Sequence, residues 1–344
     1  MAAQIAAATT TDWLELPGAP SIEGLRFRRP RGDDADYEAM AAVINAANRA
    51  DDVPWVVTAT NWREELEGNE NFDLGSDVVL AEIDGENVAV SGVARRMRGG
   101  RPLYDLWGDV HPSYRRRGLG RALLDQNLRR VEERVASGEN GGQAHGVRSS
   151  ADETETGDRA LLESAGFTPA RWFFLMRRAP LDDIPAAPLP DGLELRPVRP
   201  EHHRAIFEAE HEAFLDHWEP RDKSEADFVS LFTRSELDTD LWVAAWDGDE
   251  VAGVVQGWIW REENALLGVE RGWLEHVSVR RPWRRRGLGR AITAEALRRL
   301  RAAGMTDAML GVDADNETGA LGLYEGLGFE VTQRGTAYWG PTGD

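Results

Sequence analysis

Two identical eight-residue segments contain the residues that could bind a diphosphate. The sequence RRRGLGRA occurs at Arg115–Ala122 and again at Arg284–Ala291. Glycines permit a tight turn whose N–H groups face inward, and the N-terminus of a following helix adds partial positive charge. Flanking arginines would add charge-assisted hydrogen bonds. Each segment therefore predicts a site for an anionic diphosphate, and the presence of two copies strengthens that interpretation.

The flanking residues predict the elements that position each segment. An apolar, strand-like run precedes each copy, at Leu103–Val110 and at Trp273–Val279, and helical periodicity follows, at Leu119–Val131 and at Leu288–Leu300. Each copy therefore lies in a strand, glycine turn, helix context. The predicted ligand contacts are Arg115, Gly118 and Gly120 in the first copy, and Arg284, Arg285, Arg286, Gly287, Leu288, Gly289 and Arg290 in the second.

Composition and charge exclude several classes of protein. A length of 344 residues suits about two domains, and 42% hydrophobic residues suffice for two packed cores. The formal net charge of −20 argues against a nucleic-acid binder and favours a cationic amine as substrate. Because the chain has no cysteine, disulfides, zinc–thiolate sites and a thiol nucleophile are excluded, and we predict no metal. No apolar run has the length of a membrane span, so we expect a cytoplasmic protein without a membrane partner.

Further similarities between the two halves of the sequence indicate an internal duplication. The strand candidates Leu25–Arg28 and Leu193–Arg196 lie 168 residues apart, and the glycine segments lie 169 residues apart. Between them, IDGENVA at 83–89 and WDGDEVA at 246–252 each predict a hairpin turn. Prolines then punctuate an extended linker between the copies. We predict a tail over 1–20, a first domain over 21–180, a proline-rich linker over 181–191 and a second domain over 192–344.

Both halves predict the same order of elements. Helices are expected at 33–49 and 61–67 in the first half and at 201–214 and 225–234 in the second. A strand at 308–312, a helix at 317–326 and a terminal hairpin around Arg334 and Gly335 complete the second half. Strands with interspersed helices predict an α/β fold with a sheet covered on both faces.

The second half resembles the GNAT superfamily of acyl-CoA-dependent N-acyltransferases. The resemblance rests on the strand WLEHVSV, on Arg284-x-x-Gly287-x-Gly289, and on the segment that runs from Asn316 through LYEGLGF at 323–329. It implies two tandem GNAT folds, each a mixed, mostly antiparallel sheet flanked by helices. It also implies acetyl-CoA as the co-substrate, with its pyrophosphate at the glycine loop.

The resemblance implies roles for individual residues. The backbone groups of Val277 and Val279 would pair with the pantetheine arm as a substitute strand, and Val110 is the counterpart in the first half. Tyr324 would protonate the departing thiolate of coenzyme A. Asn316, just before a helix, either caps that helix or contacts the cofactor.

Glu275 is the predicted general base. An amine substrate arrives as ammonium, so a carboxylate must remove a proton before attack, either directly or through water. A paired or solvated glutamate is the alternative. Strand alternation is expected to direct the neighbouring His276 to the opposite face, where its role would be structural.

The first half departs from this pattern. Alignment of the two halves places Leu162 where Tyr324 stands and Leu106 where Glu275 stands, although the loop Arg115-x-x-Gly118-x-Gly120 is intact. We therefore predict a degenerate first domain and a catalytic second one, a layout that resembles the mycothiol synthase type of duplicated N-acetyltransferase. The chain is expected to be a monomer that imitates a dimer, or a homodimer.

These observations predict an N-acetyltransferase that transfers acetyl from acetyl-CoA to a primary amine of a small molecule by direct attack in a ternary complex. The aromatic residues Trp218, Trp258, Trp260, Tyr338 and Trp339 are expected near the substrate entrance. A mycothiol synthase-like enzyme, an antibiotic-amine acetyltransferase and a protein N-acetyltransferase are alternatives. From a different class, a non-catalytic acyl-CoA sensor or a scaffold also remains open.

Overall fold

The computed structural model describes residues 13–316 and 319–341, and one continuous sheet runs through this part of the chain. Its strands are β1 Trp13–Leu14, β2 Leu25–Arg28, β3 Val78–Ile83, β4 Glu86–Arg98, β5 Arg101–Val110, β6 Gly146–Asp152, β7 Thr168–Arg178, β8 Glu194–Arg196, β9 Val243–Asp247, β10 Glu250–Trp258, β11 Arg271–Val279, β12 Asp307–Asp313 and β13 Glu330–Trp339.

The helices flank this sheet. They are α1 Asp34–Ala50, α2 Ala59–Glu67, α3 Leu74–Asp77, α4 Leu119–Ala136, α5 Thr156–Ser164, α6 His203–Phe214, α7 Glu225–Phe232, α8 Arg261–Leu267, α9 Leu288–Ala302 and α10 Ala320–Glu325. Alternate residues of β3 belong to different cores: Val78 and Leu80 pack with α1, whereas Val79 and Ala81 cluster with Leu119 of α4. Because neighbouring side chains of a strand point to opposite faces, helices cover both faces of the sheet, as predicted. Within the described residues, no helix combines the length and hydrophobicity needed to span a bilayer.

The two halves exchange their final strands. The order across the sheet is β1-β2-β3-β4-β5-β6-β13-β7-β12-β11-β10-β9-β8. The last strand of the chain, β13, therefore pairs with β6 of the first half, and β7 pairs with β12 of the second half. At the centre, β7 and β13 pair with each other in antiparallel fashion. Among the strands of the described residues, the pairs β5·β6 and β11·β12 are parallel and the other pairs are antiparallel, so the sheet is mixed and mostly antiparallel.

Each exchanged strand supplies a buried residue to the core of the other half. Met176 of β7 has no exposed surface and belongs to the second-half core. Tyr338 of β13 is buried in the first-half core beside Tyr104 and Phe167. The domain boundaries at 180 and 192 stay predictions. They divide the chain by sequence, whereas in the folded protein each half is completed by a strand from the other half.

Both parallel pairs separate soon after they form. The register of β11 with β12 covers only Arg271–Trp273, although β11 continues to Val279. Likewise, β5 pairs with β6 only over Leu103–Asp105 and continues to Val110. The paired strands therefore splay apart, which frees one edge of β11 and of β5 over their last residues.

Most of the predicted elements occur, with one correction. The turns at 84–85 and 248–249 connect β3 to β4 and β9 to β10, as expected for hairpins. The predicted terminal hairpin at Arg334 and Gly335 is wrong, because both residues lie inside the single strand β13, whose two edges pair with β6 and β7. The predicted helix at 317–326 is described only from residue 319 onward, and the predicted tail only from residue 13.

The predicted linker, 181–191, contains no helix or strand but packs against the second half. Leu181 is buried in the second-half core, and its N–H donates to the carbonyl of Thr306 at 3.1 Å. Ile184, Ala187 and Leu189 pack against the same core.

We expect Met176→Ala to lower the free energy of unfolding by about 2–5 kcal/mol, because it opens a cavity in a core that the second half largely forms. Trp172→Ala is the matched control on the same strand, since that side chain is 48% exposed and its loss should cost no more than about 0.5 kcal/mol. Denaturant unfolding measures both. Equal stability of the two variants would contradict the strand exchange.

Candidate active site

The glycine loop of the second half forms a cradle of backbone N–H groups. Arg285 and Gly287 adopt left-handed backbone conformations, with φ of 62° and 86°, which turn the chain back onto the start of α9. Gly287 occupies the N-cap of α9, and it makes no side-chain cap hydrogen bond. The first N–H groups of a helix have no partner within it, so those of α9 are directed at the loop. The first half repeats this geometry, with φ of 62° at Arg116 and 91° at Gly118.

Gly289 is required because a neighbouring helix packs closely against it. A Cβ at this position would lie 3.0 Å from the side chain of Leu323 in α10. Gly120 has the same relation to Leu161 in α5, at 3.3 Å. A larger residue would push α10 away from the second loop, or α5 away from the first. The glycine therefore sets the width of the space between loop and helix.

The first arginine of each loop is tied to the protein itself. Arg284 donates from Nε to the carbonyl of Val279 at 2.8 Å and from Nη1 to Asp216 at 2.6 Å. Arg115 likewise donates to the carbonyl of Val110 at 3.1 Å and forms a bidentate pair with Asp51, at 2.8 and 2.6 Å. These arginines therefore anchor the loop to the end of the strand.

A cleft of about 1070 Å³ runs from this loop along the free edge of β11. The predicted residues that line it are Val277, Val279, Arg284, Arg285, Gly287, Leu288, Gly289, Arg290, Asn316 and Tyr324. Arg286 is not among the lining residues, and its Nη2 reaches the carbonyl of Asp191 at 3.5 Å. Leu288 has a buried side chain, so its backbone N–H is the group that could contact a ligand.

Two predicted residues at the far end of the cleft have distinct environments. Tyr324 is 6% exposed, and burial raises the pKa of its phenol above the ordinary value. The hydroxyl therefore stays protonated at neutral pH, as a proton donor requires. Asn316 does not occupy the N-cap of α10, because Gly319 does, with φ of 79°; of the two explanations for Asn316, the helix cap is therefore wrong.

A second, smaller pocket of about 280 Å³ adjoins the splayed strand. Both Glu275 and His276 line it, so the expectation that they face opposite sides is wrong. The reason is a bulge: Gln256 of β10 pairs with His276 while Gly257 pairs with Leu274, which leaves Glu275 as an extra residue. A bulge interrupts the alternation of side chains.

Both halves build this pocket. Glu65 of α2 accepts from Arg96 of the first half at 2.7 Å and from Arg234 of the second half at 2.5 Å. Burial opposes the ionisation of Glu65, but the two guanidinium groups outweigh it and hold the pKa of the carboxyl below its usual range. The aromatic wall comes from Phe207, Trp258 and Trp260.

A buried carboxylate lies behind the pocket. Glu210 of α6 is 1% exposed and accepts from Lys223 at 2.6 Å and from Gln256. Its Oε1 also lies 2.7 Å from Nδ1 of His276. We did not predict Glu210 or Lys223 from the sequence, although the signal is present: Glu210 interrupts the apolar stripe of α6, where an unpaired charge would be costly.

The corresponding cleft of the first half is lined by carboxyl groups. Its volume is about 320 Å³, and it contains Asp109, Asp152, Glu155 and Asp158, with Leu106 and Leu162 at the positions of the predicted catalytic residues. Burial, with the charge of nearby Asp158, raises the pKa of Asp109 to about 7. Burial likewise raises the pKa of Glu155 to about 8. The carboxylate oxygens of Asp51, Glu155 and Asp158 lie within 4.8 Å of one another, and the expectation of no metal stays a prediction.

The first loop is also partly covered. A Cβ at Gly118 would lie 3.4 Å from Pro20, whereas the space around Gly287 is open. Leu16 packs into one cluster with Leu119 and Leu123 of α4. The segment that precedes β2 therefore lies against the first loop.

Comparison with known proteins agrees with this geometry. The Acetyltransferase (GNAT) family matches residues 203–329, and a second Acetyltransferase (GNAT) domain matches residues 75–169. The mycothiol acetyltransferase of Streptomyces scabiei is 34% identical over 340 residues, covering 96% of this chain and 98% of that protein. This chain belongs to the GNAT acetyltransferase family. It is an acyltransferase with two GNAT domains in tandem.

Other relatives of this GNAT acetyltransferase have the same layout. The mycothiol acetyltransferase of Streptomyces avermitilis is 31% identical and covers 96% of the chain and 98% of its own length. A GCN5-related N-acetyltransferase from Sphaerobacter thermophilus has a TM-score of 0.72 at 29% identity, covering 96% of this chain and 99% of its own. A tandem GNAT protein from the clavulanic acid biosynthesis pathway, at 18% identity and a TM-score of 0.65, supports the fold.

The predicted aromatic entrance of this GNAT acetyltransferase is divided between three environments. Trp258 and Trp260 line the smaller pocket, whereas Trp218 lines the large cleft and contacts Trp339, with ring centroids 5.6 Å apart. Tyr338 is buried in the first-half core. The expectation that Tyr338 borders the entrance is therefore wrong, because the strand exchange directs it inward.

We expect the phenol of Tyr324 to remain protonated at about pH 10, where an ordinary tyrosine is half ionised. The absorbance of tyrosinate near 295 nm measures this in wild-type protein and in Tyr324→Phe. The difference between them isolates Tyr324 from the other tyrosines and should be close to zero. A difference equal to half a tyrosinate would contradict the burial of this hydroxyl.

Proposed function

We propose that this acyltransferase transfers an acetyl group from acetyl-CoA to a primary amine of a small molecule, by direct attack in a ternary complex. The observation that carries the proposal is the composition of the second-half site. A cradle of N–H groups, a free strand edge and a buried phenol line one cleft, and an aromatic pocket adjoins the same strand at Glu275 and His276.

The diphosphate of coenzyme A would occupy the loop from Arg285 to Arg290. Three features support this fit: left-handed turns that direct N–H groups inward, open space at Gly287, and two arginines without an ion pair among the described residues, Arg285 and Arg290. The pantetheine arm would pair with the backbone of Val277 and Val279, which β12 leaves free. Asn316 would contact the same ligand from the opposite wall.

The first half is not the donor site in this proposal. Four carboxyl groups line its cleft, and each one that is ionised would repel an anionic diphosphate. Val110, Arg115, Gly118 and Gly120 were predicted as cofactor contacts from the loop sequence. Arg115 is already paired with Asp51, and Pro20 lies over Gly118. These residues then have a structural role, and the first half contributes to catalysis through the pocket wall around Glu65.

The chemistry uses groups at the junction of the cleft and the pocket. The backbone N–H groups around Val277 would polarise the thioester carbonyl, and Tyr324 would give its proton to the departing thiolate. Glu275 is the base that the sequence predicts for the amine proton. The full-length relatives are named mycothiol acetyltransferases, so an amine of mycothiol chemistry is the first acceptor to test, before antibiotic amines and protein N-termini.

Arg290→Glu should weaken acetyl-CoA binding by about tenfold or more, because a charge-assisted hydrogen bond is replaced by repulsion. Arg121→Glu is the matched control, since Arg121 occupies the same position in the first loop, where it pairs with Asp125 at 2.9 Å. Isothermal titration of both variants measures the dissociation constants. If Arg121→Glu binds acetyl-CoA more weakly than wild-type protein and Arg290→Glu binds it equally well, the donor site lies in the first half and the proposal is refuted.

Tyr324→Phe should lower kcat by roughly 100-fold and leave the dissociation constant of acetyl-CoA within a factor of about two, because only proton donation is lost. Product analysis by mass spectrometry, with candidate amines, measures turnover. Undiminished turnover in this variant would exclude Tyr324 as the acid. A wild-type protein that binds acetyl-CoA but acetylates no amine would favour the acyl-CoA sensor.

A further inference from the structure

The imidazole of His276 is backed by a buried carboxylate, and nothing in the predicted mechanism uses this pair. Nδ1 of His276 lies 2.7 Å from Oε1 of Glu210, and the histidine side chain is 44% exposed to the pocket. Nδ1 is therefore buried beside a carboxylate, while part of the side chain is open to the pocket.

Glu210 is fixed in its ionised form. Burial alone would raise the pKa of this carboxyl, but His276 and Lys223 outweigh burial and lower it to about 2. An ionised carboxylate can only accept hydrogen bonds. A carboxylate beside Nδ1 favours the neutral tautomer with its proton on that nitrogen, which leaves the lone pair on Nε2; in the present ring orientation Nδ1 is close to Oε1 of Glu210 but does not meet hydrogen-bond geometry.

His276 also lies where the two parts of the site meet. It immediately precedes Val277, which lines the large cleft, and it lines the smaller pocket. Its ring contacts that of Phe214, another residue of the cleft, with centroids 5.4 Å apart. The imidazole therefore lies between residues of the aromatic pocket and residues of the cleft along the free edge of β11.

Glu275 has a different environment. It is exposed, and its Oε1 accepts from Nε1 of Trp260 at 3.0 Å. It therefore has a neutral hydrogen-bond partner, and the buried carboxyl group near it, that of Glu263, repels its charge. Such a carboxylate suits electrostatic attraction of an incoming ammonium group better than oriented proton transfer.

We propose that His276 is the catalytic base of the acetyl transfer and that Glu210 is its positioning residue. The proposal rests on the function proposed above. Nε2 of His276 removes a proton from the ammonium group, and the nitrogen lone pair attacks the thioester carbon. The C–N bond forms and the C–S bond breaks as Tyr324 protonates the sulfur. The second proton of the nitrogen restores the Tyr324 phenol, and His276 releases its proton to water.

Several charged groups surround His276 and enter its pH dependence. Glu210 lies on α6, and His217 and Lys223 lie in the segment that connects α6 to α7. Glu275 is its neighbour on β11. The paired Arg221 and Asp227 line the same pocket. Since the base must be neutral, kcat/KM should rise with pH along an acidic limb.

The decisive experiment is the pH profile of amine acetylation in wild-type protein, His276→Gln and Glu275→Gln. We expect His276→Gln to lower kcat by roughly 100-fold and to lose the acidic limb, with unchanged acetyl-CoA binding. His276→Ala should recover activity on addition of imidazole. Glu275→Gln should raise KM for the amine and retain the acidic limb of the kcat/KM profile. Glu210→Gln should lower kcat more than it raises KM, because the imidazole loses its fixed tautomer.

Two results would overturn the proposal in distinguishable ways. If His276→Gln keeps the wild-type kcat and the acidic limb of the pH profile, whereas Glu275→Gln has a lower kcat and no acidic limb, the base is Glu275 and only this inference fails. If wild-type protein acetylates no amine, the proposed function fails and the role of His276 fails with it. His276 is partly exposed, so its variants are expected to fold, and an unfolding curve checks this.

Discussion

The antiparallel pairing of β7 with β13 is the constraint on which the rest of the structure depends. It joins two half-sheets into one and places the last strand of each half beside the other. Charged pairs hold β7 to its other neighbour, β12: Arg171 with Asp313 at 2.8 Å, and Arg177 with Asp307 at 2.5 Å. Because the halves cannot separate without breaking this sheet, a pocket lined by both of them keeps a fixed shape.

That constraint explains how identical loops can have different roles. The loop geometry is the same in both halves, down to the left-handed arginine and glycine. The surroundings differ: arginines line the second cleft and carboxyl groups line the first. Where His276 stands in the second half, the equivalent position in the first half is Trp107, which packs edge to face against Trp62, with ring centroids 5.0 Å apart. An aromatic pair therefore occupies the region that corresponds to the acceptor pocket.

Local patterns in the sequence predicted what is local in the structure. The glycine loops and the hairpin turns follow from short motifs whose backbone geometry is self-contained. The strand exchange could not be predicted in this way, because each half has a complete set of strands and pairing partners are a property of the whole sheet. The same reason accounts for the wrong hairpin at Arg334. Glu210 and the bulge at Glu275 were missed because periodicity assumes regular elements.

The central claim is that the second half alone binds the acyl donor, although both halves carry the loop. Hydrogen–deuterium exchange of the intact chain with and without acetyl-CoA tests this most directly, since exchange is measured segment by segment. The account predicts protection of residues 275–290 and unchanged exchange in residues 106–121. Protection of the first loop, alone or together with the second, would contradict it.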